Sequence, residues 1–66
     1  MNEAVFSEQI TRLVSQFGKQ MYGTDRVKMI WGTVKFMPDE WMMRIVDKFM
    51  GECRTAPLAA EFRDEI

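Results

Sequence analysis

A chain of 66 residues with 9 Lys and Arg against 10 Asp and Glu, one Cys and no His has room for one domain, expected over residues 1–66, and for little chemistry. Folding at this size hides only about 60% of the surface that the unfolded chain exposes, so stability needs a staple or a partner. The lone Cys53 excludes an internal disulfide, the lack of His excludes a Cys/His zinc site, and near-neutral charge argues against a dedicated nucleic-acid binder.

From about Glu3 to Gln20, Phe6, Ile10, Leu13, Val14, Phe17 and Met21 fall within a helical arc of roughly 100°, a single-faced amphipathic helix. Asn2 or Ser7 is its expected cap, and Gly23 its expected stop. A second helix opens at Thr24-Asp25 and runs to about Phe36, with Val27, Ile30, Trp31 and Val34 on its main stripe. Met29 and Phe36 share nearly the opposite side, which predicts apolar contacts on two sides and a central place in the bundle. Gly32 in its interior costs about 1 kcal/mol relative to Ala, so a close neighbour is expected to exclude a side chain there.

Pro38 suits a first helical position, and Asp39 and Glu40 suit the positive end of a helix dipole. The third helix that follows spreads Trp41, Met42, Met43, Ile45, Val46, Phe49, Met50 and Cys53 over roughly 200°, where a surface helix shows little more than 100°. A short fourth helix begins near Thr55-Ala56-Pro57 and spaces Leu58, Phe62 and Ile66 four apart. The chain stops on an apolar position with no C-cap signal, which suggests truncation. The expected fold class is all-α: a compact bundle of about four short helices.

The residues offer no chemistry. General acid–base work usually recruits His, and the carboxylate pairs Asp39/Glu40 and Asp64/Glu65 read as solvated charges. Cys53 lacks an activating partner and reads as a small buried hydrophobe. The four glycines are too far apart for a phosphate loop. No enzyme, cofactor or metal is expected. No apolar run approaches the roughly 18 residues that span a membrane, and the single thiol suits a reducing cytoplasm.

What stands out is apolar excess, seven Met among 66 residues. A stripe of Met and aromatic residues is more often core than anything else, which is the first reading of Met29, Phe36, Met43 and Met50. The sharper reading places Met43 and Met50 on a partner-binding surface, because contiguous exposed apolar patches mark such sites. Trp41 then serves as an aromatic anchor, or else as a core residue. Arg44 and Lys48 form the charged rim. The candidate protein-binding set is Met29, Phe36, Trp41, Met43, Arg44 and Met50.

The landmarks Trp31-Gly32-Thr33-Val34-Lys35-Phe36, the Pro38-Asp39-Glu40 helix start and Ala56-Pro57-Leu58-Ala59-Ala60-Glu61-Phe62 follow one another in an order that resembles the N-terminal helical domain of phage replicative helicase loader and inhibitor proteins. The resemblance implies a non-enzymatic DNA-replication accessory whose partner is a hexameric replicative helicase or an origin-binding protein. It assigns no individual residue a role. The helicase contact of the inhibitor-loader family is attributed mainly to a disordered tail, which these residues lack. Two other readings stay open: a small helical DNA-binding regulator carried by Arg26, Lys28 and Lys35, with Arg12 and Lys19 on the first helix, and a homo-oligomer in which Met43 and Met50 face their own copies.

Overall fold

The computed structural model describes residues 1–66. It is all-α: α1 (Glu3–Phe17), a 3₁₀ turn (Lys19–Met21), α2 (Thr24–Val34), α3 (Asp39–Glu52) and α4 (Ala59–Glu65).

Helix α1 starts where the sequence places it, because the Asn2 side chain accepts from the Ala4 N–H at 2.7 Å and satisfies a donor that no earlier turn can reach. It ends sooner than its apolar stripe predicts. Gly18 takes φ +103°, and its N–H donates to the Val14 carbonyl. Only glycine adopts such a backbone without strain, so Gly18 rather than Gly23 is the stop. Met21 and Tyr22 reach the core through the 3₁₀ turn, and Gly23 sits extended at φ −65° as the N-cap of α2.

Contacts between the helices set their directions. Asn2 N–H donates to Asp39 Oδ1, Arg12 pairs with Asp47, and Gln16 Nε2 donates to the Met50 carbonyl. The paired numbers rise together, so α1 and α3 run parallel. Helix α2 runs antiparallel to α1, with Phe6 against the edge of Trp31 at 4.9 Å and Met1 N donating to the Lys35 carbonyl. Helix α4 closes the other edge of α3: Phe49 and Phe62 meet at 4.9 Å and 90°, and Lys48 Nζ reaches both Glu65 oxygens at 2.7 and 3.0 Å. Leu13, Ile30, Val34, Met42, Val46 and Phe62 are fully enclosed in the resulting core.

Three further expectations need correction. Helix α2 is not central: Ile30 and Val34 are buried and Val27 and Trp31 half-buried, yet Met29 and Phe36 face outward. Gly32 has nothing within 4 Å of where a Cβ would stand, so no neighbour excludes a side chain there. Asp39 is not a solvated charge; it is half-buried and accepts the Asn2 N–H at 2.9 Å.

The glycines therefore respond oppositely to one substitution. Gly32→Ala is expected to stabilise the domain by up to about 1 kcal/mol, through helix propensity alone. Gly18→Ala is expected to destabilise it by about 1–3 kcal/mol, because Ala is strained at that φ. Urea unfolding of the two variants checks both signs.

Two polar side chains lie inside without being orphaned. Gln9 is buried and accepts from Arg12 Nη1 at 2.7 Å. Tyr22, which reads in the sequence as part of a turn, is buried, and its hydroxyl donates to the Pro57 carbonyl at 2.8 Å. That bond ties the α1–α2 connection to the α3–α4 connection. Burial, with the negative charges of Cys53 and Glu61 adding to it, pushes the Tyr22 hydroxyl up to about 12. A proton held more tightly in the folded than in the unfolded chain supplies stability that is complete below pH 10. That stability is lost as pH climbs from 10 to about 12. Wild-type stability is expected to fall about 2 kcal/mol further than that of Tyr22→Phe across this window. Urea unfolding at a series of pH values gives the comparison.

Candidate interaction surface

The six candidate residues do not form one patch. Helical spacing places Met29 and Phe36 on the outer side of α2, and they are 63% and 83% exposed. Lys35 keeps helical angles after Val34, so the stripe continues to Phe36, with Gly32 between the two apolar side chains. Lys35 Nζ stands 5.3 Å from the centre of the Phe36 ring, a cation–π approach.

Trp41, 50% exposed, lines a shallow cleft with Arg44, Ile45 and Glu65 where α4 meets α3. Met43, 41% exposed, lies some 160° away around α3, on the edge that faces α1. Met50 is half-buried against the core, and its carbonyl is held by Gln16. The sequence-based pairing of Met43 with Met50 as one exposed edge therefore holds for Met43 and not for Met50. Nor is Lys48 a free rim charge, because its bond to Glu65 occupies it and raises its pKa.

A groove runs between α2 and α4, lined by Arg26, Met29, Leu58, Ala59 and Ala60. Leu58 owes its position to the end of α4: its N–H donates to Glu61 Oε2 at 2.8 Å, half of a capping box. Pro57 and Phe62 occupy the flanking staple positions, and both are buried. No periodicity argument could find this groove, because Ala59 and Ala60 carry no signal of their own. They matter only because α4 lands beside Met29.

Comparison with known proteins finds no matching family model, no similar curated protein and no similar solved structure.

The electrostatics of the α2 side are uneven. From Thr24 to Phe36, Arg26, Lys28 and Lys35 stand against Asp25 alone, in a chain whose net charge is −1. Neither ion pair of the molecule involves these three cations; Arg26 donates only to the Met21 carbonyl. Nowhere do three Cys, Asp or Glu side chains converge, and no helix is long and apolar enough to cross a membrane. Cys53 is half-buried at the end of α3.

Proposed function

We propose that this domain is a non-enzymatic protein–protein interaction module. The observation that supports the reading is the outward placement of Met29 and Phe36 on one helix side. An exposed Phe contributes little to folding, and adjoining exposed apolar side chains are the common mark of a binding surface. The resemblance to helicase loader and inhibitor domains names the first partner to test: a hexameric replicative helicase, bound as a replication accessory. Sedimentation of the chain with a purified bacterial replicative helicase is the direct experiment. Co-sedimentation that Met29→Ser with Phe36→Ser removes supports the accessory role. Helicase that sediments alone, at micromolar chain, rejects that partner.

A second reading, a DNA-binding regulator, draws on the three unpaired cations of α2. Phosphate contacts release counterions, so such binding must weaken steeply with salt on any duplex. Fluorescence anisotropy with duplex DNA at 50 and 200 mM salt decides it. No binding at the lower salt excludes the regulator.

A further inference from the structure

We infer that the outer side of α2, with the groove it shares with α4, docks an acidic amphipathic helix of a partner protein. The inference rests on the interaction-module reading and gives its partner a chemistry. Met29 lies on α2 and Phe36 two residues past its last one, seven residues apart, a separation close to the two turns between the i and i+7 anchors of a docked amphipathic helix. Between them Gly32 offers no side chain and open space, a notch into which a large apolar side chain fits while the two helices stay close. The groove beyond Met29 has a volume of about 250 Å³, below the roughly 300–1,000 Å³ of small-molecule sites. It suits a side chain of a docked segment better than a free ligand.

Charge selects among docked segments. Lys28 and Lys35 lie on one flank of the apolar strip and Arg26 on the other, and all three are exposed. A partner helix with Asp or Glu bordering its apolar stripe would neutralise the excess, whereas a basic helix would be repelled. A second copy of this chain fits less well. An isologous contact through α2 would bring its cations against the same three on the other copy.

The test is selection of displayed 16-residue helical peptides on the intact 66-residue chain, followed by titration of the winners into ¹⁵N-labelled protein. The expected winners carry apolar residues at i, i+3 or i+4 and i+7, bordered by Asp and Glu. They shift the amides of Lys28, Met29, Gly32, Phe36 and Ala60. Met29→Ser with Phe36→Ser weakens them at least about tenfold, with an unchanged melting temperature because both side chains are exposed. Gly32→Leu, which fills open space, blocks them as well. Lys28→Glu with Lys35→Glu reverses the charge preference.

Winners that are basic, winners that ignore these variants, or no enrichment at all overturn the inference. So does tighter binding of the chain to anionic vesicles or duplex DNA than to any winner. Winners that map to the Trp41–Arg44 cleft overturn this inference and leave the interaction module standing. No enrichment together with no helicase binding removes both.

Discussion

Phe62→Ala is expected to bring the domain to the edge of unfolding. Phe62 is fully enclosed, with its ring edge-on to Phe49. Truncating a core Phe costs about 3–5 kcal/mol, of which the aromatic pair accounts for about 0.5–1.5 kcal/mol. A 66-residue domain has only about 3–10 kcal/mol in total. The location makes the loss worse. Helix α4 is seven residues long, far below the roughly 12–15 at which an isolated helix begins to hold in water, so its packing must hold it. Without that ring, α4 is held mainly by the small Ala59 and the half-buried Leu58 against the core and by the exposed Lys48–Glu65 pair. Thermal unfolding by circular dichroism is expected to move down by at least about 12 °C, at about 4–8 °C per kcal/mol. A shift of a few degrees would mean that α4 is not part of the cooperative unit.

The second large effect separates three neighbours on α3. Met43, Val46 and Met50 lie within one or two turns on adjoining sides of the helix, and a wheel alone treats them as one apolar edge. Val46 is fully enclosed, Met50 half-buried and Met43 41% exposed. Aspartate at each position therefore has a graded outcome. Val46→Asp buries a charge with no partner and is expected to abolish folding. Met50→Asp is expected to cost about 1–3 kcal/mol, since its side chain can turn partly to water. Met43→Asp is expected to stay within about 0.5 kcal/mol. Urea unfolding of the three variants checks the order, and equal losses at all three positions would contradict it.

The grading qualifies the idea that the third helix is too apolar for the domain to hide. Its wide arc is largely covered, because α1 lies along the Asp47 and Met50 edge and α4 along the Lys48 edge. A helix flanked on both sides can use more of its circumference than the single-faced rule allows. Trp41 and Met43 stay partly open on α3, but the most exposed apolar side chains, Met29 and Phe36, belong to the α2 segment, which sequence periodicity places at the centre. Met29 and Phe36 read as a second buried stripe because nothing in the α2 segment says that only one side meets a neighbour.

The sequence by itself determined what is local. Four helical segments, the Asn2 cap and the break at Pro38 all follow from backbone and side-chain preferences within a few residues. Gly18 belongs with these, since its positive φ is a local demand, although an apolar stripe that runs past it hides the signal. Only the tertiary structure decided which apolar residues are covered. That outcome depends on α1 and α3 lying parallel with α4 closing the opposite edge, and on Tyr22 joining two connections 35 residues apart. Burial is settled by which helices meet, and periodicity reports a helix's apolar side without reporting what faces it.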